Sequence, residues 1–124
     1  MNFDSATLDC IRSNNLIGIK AGTQRETFLD IWMVIVDNRV FARSWGFGEK
    51  SWYNTFIIEP AGQLRCGERI VNITAHLPEN DPELNARISQ AYLDKYDSGE
   101  NSVYAQGITR PEHEAKTMEF RLMD

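Results

Sequence analysis

Arg43, Ser44, Lys50 and Ser51 crowd into one short stretch, and Trp52 and Tyr53 follow directly. Arg43 offers a planar fork of N–H donors, Lys50 a mobile point charge, and the two serines neutral donors. Between them, Trp45-Gly46-Phe47-Gly48 can turn backbone N–H groups toward an anion, as a nest does. The chemistry these types suit is the holding of a phosphate or carboxylate. Trp32, Trp45, Trp52 and Tyr53 add flat surfaces on which a ring can stack. The competing reading is structural: the glycines only turn the chain, Asp30 neutralises Arg43, Lys50 stands in water, and the aromatics belong to a core or an interface. The Gly-x-Gly has no strand–turn–helix setting, so it is not a dinucleotide fingerprint.

The element that must position these groups is a β-hairpin. Residues 27–36 are rich in β-branched and aromatic types, Asp37-Asn38 tolerates the positive φ of a two-residue turn, and residues 39–44 alternate again. That turn sets the register: Val36 faces Arg39, Met33 faces Ala42, Trp32 faces Arg43 and Ile31 faces Ser44. One face, with Leu29, Ile31, Met33, Ile35, Val40, Ala42 and Ser44, is core. The other sets Asp30, Arg39 and Arg43 among Trp32, Val34, Val36 and Phe41. Such a mixed face is expected beside a ligand or a partner subunit.

Other chemistries find little support. His76 and His113 have no second histidine at ligand spacing, so no metal site is expected. No Gly-x-Ser-x-Gly elbow occurs. Glu79, Asp81 and Glu83 surround a helix start, where capping and the dipole explain them. Tyr92 and Tyr96, one helical turn apart, are expected to pack rather than react.

The remaining elements are read from pattern. Asp4 or Ser5 caps a first helix through residue 13, and residues 16–21 form a first strand. A polar link, residues 22–26, leads into the hairpin. Residues 55–59, 64–66 and 70–77 read as strands, the last with Val71, Ile73, Ala75 and Leu77 on one side. Asp81 and Pro82 open a helix whose apolar stripe is Leu84, Ile88, Ala91 and Tyr92, ended near Ser98-Gly99. Residues 100–115 are polar, with one short strand at 103–106, and residues 116–123 close the chain as a strand. Six or seven strands on short links, an N-terminal helix and one late helix indicate an α+β antiparallel barrel or sandwich in a single domain, residues 1–124.

Composition agrees with a globular chain: 124 residues, 42% hydrophobic and 25% charged. A net charge of -5 disfavours bulk binding of nucleic acid or of an anionic membrane. No leader and no membrane-spanning run is read. Cys10 and Cys66 lack metal or redox spacing, which favours buried thiols in a reduced, cytoplasmic protein, with a single disulfide as the alternative.

Three local patterns carry a resemblance: residues 19–25 (IKAGTQR), the Arg43-Ser44 strand end, and Lys50-Ser51-Trp52-Tyr53-Asn54. With the order of elements they resemble the FMN-binding split β-barrel superfamily, which includes pyridoxamine-phosphate-oxidase-like and deazaflavin-dependent nitroreductase-like proteins. IWMVIVDNRVFARSWGFGEKSWYN, the later AYLDKY and the closing strand look more closely like a small bacterial family of unknown function related to that barrel. The resemblance spans most of residues 16–123. It implies a split barrel, a homodimer, and a flavin-type cofactor, FMN or deazaflavin, that carries hydride to a small molecule. Carried over by position, Arg43, Ser44, Lys50 and Ser51 match the phosphate side, and Trp52 and Tyr53 match the aromatic segment. The first turn departs from the nitroreductase-like basic segment: residues 22–26 keep one arginine and add a glutamate. A non-enzymatic binding or assembly module that keeps the barrel and its dimer face without cofactor is the alternative.

Overall fold

The computed structural model describes residues 3–46, 48 and 51–123. Along the chain lie α1 (Ser5–Ser13), β1 (Ile17–Ala21), β2 (Leu29–Ile31), β3 (Val34–Val36), β4 (Arg39–Arg43), α2 (Trp52–Ile58), β5 (Ala61–Cys66) and β6 (Arg69–His76). Then come α3 (Pro82–Tyr96), a 3-10 turn (Gly99–Asn101), α4 (Ser102–Gly107), α5 (Pro111–Glu114) and β7 (Thr117–Leu122). The strands form one antiparallel sheet in the order β2-β1-β5-β6-β7-β4-β3.

Topology forces this sheet to curl. Its two edge strands, β2 and β3, are consecutive in the chain and separated only by Trp32 and Met33. Ile31 and Val34 therefore lie at most about 11 Å apart, at about 3.8 Å per Cα step. Laid flat, seven strands at a spacing of about 4.8 Å would hold those edges about 29 Å apart. The sheet bends until its edges nearly meet, giving the expected α+β barrel-like architecture with its N-terminal helix.

The corner takes Trp32 and Met33 out of the ladder, and their buried backbone groups need other partners. The end of α3 supplies those of Met33. The Met33 N–H donates to the Tyr96 hydroxyl at 3.0 Å, which itself donates to the Asn15 carbonyl at 2.7 Å. Lys95 Nζ donates to the carbonyls of Met33 and Ile11 at 2.7 and 2.8 Å. Trp32 stacks on the Tyr96 ring, centroids 4.2 Å apart.

The sheet carries an apolar cluster on each face. Inside the curl, Ile17, Ile19, Met33, Val40, Ala42, Leu64 and Phe120 pack with Leu8 and Ile11 of α1 and Trp52 and Phe56 of α2. On the other face, Val34, Val36 and Phe41 pack under Leu84, Ile88, Tyr92 and Tyr96 of α3. This alternation is the one read from the hairpin, and Asp37 and Asn38 have φ of 53° and 62°. Of the mixed face, Val34, Val36 and Phe41 are covered by the chain's own helix α3.

Other expectations need correction. The pairs Val36–Arg39, Ile35–Val40 and Val34–Phe41 form, but the hairpin stops there. Ile31 pairs with Ile17, not Ser44, because β2 leaves for the opposite edge. Residues 55–58 belong to helix α2 and Glu59 is its C-cap, so the expected strand does not form. Ser51 caps that helix by accepting from the Asn54 N–H, and Trp52, Tyr53 and Phe56 bury one side of it. A short apolar run does not distinguish helix from strand, and the cap decides. Residues 102–107 are helical as well, so several helices stand late in the chain where one was expected. Cys10 and Cys66 are joined by a disulfide, Cα atoms 6.2 Å apart, which replaces the expected free thiols and ties α1 to β5.

Candidate functional site

Where the curl opens at the corner, a cleft of about 460 Å³ lies between β2, the end of β4, the start of α2 and α4. Arg43, Ser44, Ser51 and Trp52 line it, so four of the residues singled out by type share one site. Trp32 and Trp45 form further walls, with Leu29, Ile31, Tyr104 and Ile108. Tyr53 does not line the cleft. It is buried in the inner core, with Lys116 Nζ 5.1 Å from its ring centroid. Lys50 and Phe47 lie outside the described residues.

Arg43 is 4% exposed. Its Nε–H donates to Thr117 Oγ1 at 3.0 Å, and Nη1 donates to Ser89 Oγ at 2.8 Å and the Ile108 carbonyl at 3.2 Å. Nη2 donates to the Asn85 carbonyl at 3.1 Å. Every acceptor is neutral, and among the described residues no carboxylate forms an ion pair with it. Desolvation by burial pulls its pKa below the usual guanidinium value, opposed by the fields of Tyr92 and Glu114. Asp30, the expected neutralising partner, stands exposed on β2 across from Gly18 of β1. The end of β4 is held by α3, since the Arg43 backbone N–H donates to the Tyr92 hydroxyl at 2.8 Å.

The serines are engaged locally. Ser44 Oγ donates to the Gly46 carbonyl at 2.6 Å. Ser51 Oγ accepts from the Asn54 N–H at 3.3 Å as the α2 cap. Gly46 has no positive φ, and the expected nest also involves Phe47, which lies outside the described residues.

Trp45 is half-exposed and stands on residues that spacing did not connect to it. Its ring stacks on His113, centroids 4.5 Å apart at 12°, and meets Tyr104 edge-on at 5.5 Å. Gly107 makes the room, since a Cβ there would lie 2.9 Å from Trp45 Cη2. His113 Nδ1 lies 3.0 Å from the Ser44 carbonyl, which can only accept, so Nδ1 carries the proton. His76 Nε2 meets Thr74 Oγ1 at 3.1 Å. Among the described residues no group of three or more His, Cys, Asp or Glu side chains is placed to hold a metal, and no helix is long and apolar enough to cross a membrane.

At the first turn, the Thr23 N–H donates to Glu59 Oε1 at 2.9 Å, and the Thr23 hydroxyl donates to the same oxygen. The chain's own carboxylate thus fills that turn. Glu59 follows directly on α2, so its position depends on the helix that the sequence did not reveal.

Comparison with known proteins gives a family and a fold. The family described as "Uncharacterized protein conserved in bacteria (DUF2255)" matches residues 10–120. The crystal structure of conserved hypothetical protein Rv2991 from Mycobacterium tuberculosis superposes with a TM-score of 0.58 at 12% identity, over 98% of this chain and 80% of that one. At that identity the likeness is one of fold. No curated protein matches.

Proposed function

The chain belongs to the DUF2255 family of bacterial proteins, and we propose that it binds a small molecule whose planar, largely apolar ring carries negative charge. One observation carries this reading. All three tryptophans, brought by three separate segments, converge on one cavity of about 460 Å³ with a buried guanidinium that forms no ion pair among the described residues. The volume falls within the range of small-molecule sites, roughly 300–1,000 Å³. Indole rings stack on flat ligands, and a buried cation without an internal counter-ion favours an anion beside it.

A flavin-type cofactor, FMN or deazaflavin, serving hydride transfer to a small molecule, is the specific form the sequence resemblance implies. Its ring matches the tryptophan walls. Its phosphate matches less, because Arg43 and Ser44 are held by the chain's own carbonyl and hydroxyl groups, so no redox step is assigned to these residues. The filled first turn favours a second reading, a non-enzymatic binding or assembly module without cofactor. Homodimerisation belongs to both readings, since a second copy would cover Leu29, Trp45 and Tyr104 at the cleft mouth.

The test is a titration of the purified chain with riboflavin, FMN and a deazaflavin, following tryptophan fluorescence, with oligomeric state read by light scattering. Saturable quenching that weakens at least tenfold in Trp45→Ala is expected. Absence of saturable quenching with all three removes the flavin form. Absence with planar aromatic carboxylates as well removes the binding reading.

A further inference from the structure

A second cavity, of about 380 Å³, lies between α1, the edge strand β3 and α3, and it shares no lining residue with the cleft. Its size falls within the roughly 300–1,000 Å³ of small-molecule sites. The hairpin register aims main-chain groups into it. Val36 and Arg39 flank the two-residue turn, so they exchange both main-chain hydrogen bonds, and the Val34–Phe41 pair does the same. Ile35, between them, turns its N–H and C=O away from β4, toward the free edge of the sheet. Among the described residues neither group has a hydrogen-bond partner. Met33, two residues earlier, shows what that edge faces, since its carbonyl accepts from Lys95 Nζ at 2.7 Å.

The charged groups of this cavity are Arg12, Asp94 and Lys95. Arg12 is already committed, to Asp9 at 3.2 Å and to Asn38 at 3.1 Å. The other two are not. Lys95 Nζ donates to two carbonyls and forms no ion pair among the described residues, and burial lowers its pKa with no carboxylate to oppose the shift. Asp94 accepts from Gln90 Nε2 at 2.8 Å and likewise forms no ion pair. One cation and one anion, consecutive in the chain yet not joined to each other, thus share a cavity with a main-chain donor and acceptor. An anionic ligand would leave Asp94 unmet, and a cationic one would leave Lys95 unmet. A zwitterion meets both, and the walls of Ile11, Val34, Ile35 and Ala91 suit an aliphatic side chain.

We propose that this second cavity binds a free aliphatic α-amino acid, its carboxylate met by Lys95 and the Ile35 N–H, its ammonium by Asp94 and the Ile35 carbonyl. Amide-resolved NMR titration of the full chain with L-leucine, N-acetyl-L-leucine and L-leucinamide tests this, the last two lacking the ammonium and the carboxylate in turn. Leucine is expected to shift the Ile35 N–H saturably and to bind at least tenfold more tightly than either blocked form. Lys95 also holds the corner, so the variant is made at the exposed Asp94. Asp94→Asn is expected to weaken leucine at least fivefold without weakening N-acetylleucine. Absence of a saturable Ile35 shift with leucine overturns the proposal. So does a blocked form that binds as well as leucine, or an Asp94→Asn chain that binds leucine as well as the native one.

Discussion

Replacing Tyr96 by Phe tests whether the corner of the sheet is held as described. The substitution keeps the ring that stacks on Trp32 and removes one oxygen. That oxygen accepts from the Met33 N–H at 3.0 Å, and Met33 is 0% exposed. No neighbouring strand offers that N–H an alternative, because Met33 lies between β2 and β3, where the ladder is broken. The Met33 carbonyl keeps Lys95 Nζ at 2.7 Å, and the exposed Asn15 can turn its carbonyl to water. One buried donor is therefore left unpaired, at a cost of about 1–3 kcal/mol, and we expect about 2 kcal/mol. For a chain of this size that is roughly 8 °C in Tm. Urea denaturation with the disulfide intact measures it, the midpoint falling while the slope stays constant. Tyr104→Phe, at a tyrosine 53% exposed, is the control and should change stability by less than about 0.5 kcal/mol. A Tyr96→Phe effect as small as the control's would show that Met33 does not depend on Tyr96, and the account of the corner would be wrong.

The titration of the corner predicts an alkaline optimum. Burial draws the Lys95 ammonium down to about 8 from 10.5, so between those values the unfolded chain holds the extra proton and stability rises with pH. Burial pushes the Tyr92 phenol up to about 12 from 10.0, so the native state keeps a proton the unfolded chain loses, and stability falls over that span. Urea midpoints should climb from pH 8 to near 10 and then drop. Lys95→Met should flatten the climb, and Tyr92→Phe should lessen the drop, to which the Tyr96 phenol, also raised by burial, contributes. Reducing the disulfide frees a loop with a sequence separation of 56, which costs about 4 kcal/mol in the chain-entropy account. Melting with and without a phosphine reductant reads this, and a Cys10→Ser/Cys66→Ser chain should match the reduced protein. Gly62→Ala places a Cβ 2.2 Å from the Lys20 carbonyl oxygen and 2.8 Å from Phe56 Cε1. It should cost about 3 kcal/mol or more in denaturation. Gly46→Ala meets nothing within 4 Å among the described residues and should be neutral in the same assay.

What the sequence disclosed follows the range of the interactions. The Asp37-Asn38 turn, the alternation on either side of it and the Asp81-Pro82 start of α3 are local, set by φ preference, strand period and capping, and each stands where it was read. Helix α2 was hidden because Thr55, Phe56, Ile57 and Ile58 are β-formers, while the Ser51 cap that starts it bonds a backbone N–H three residues on. Arg43 shows the same limit at the site. Its type announced an anion-binding fork, but its acceptors lie 42 to 74 residues away and two of them are backbone carbonyls. A side chain's type tells what it can donate. Only the fold tells what has already accepted.

The cleft itself is a product of closure, and that links its existence to the corner. Residues 27–36 would be one strand if the hairpin register ran on, with Trp32 opposite Arg43. The chain instead leaves the ladder at Trp32 and Met33 and crosses from one edge of the sheet to the other. That crossing turns Trp32 flat against Tyr96. It also opens the space beside the end of β4 that Arg43, Ser44 and Trp45 share. A straight hairpin would bury Trp32 against its neighbour strand and leave no room for a ring. Stability of the corner and presence of the site are then coupled. Lengthening the crossing by inserted glycines after Met33 should weaken ligand binding and lower the urea midpoint together, whereas Trp45→Ala should weaken binding alone.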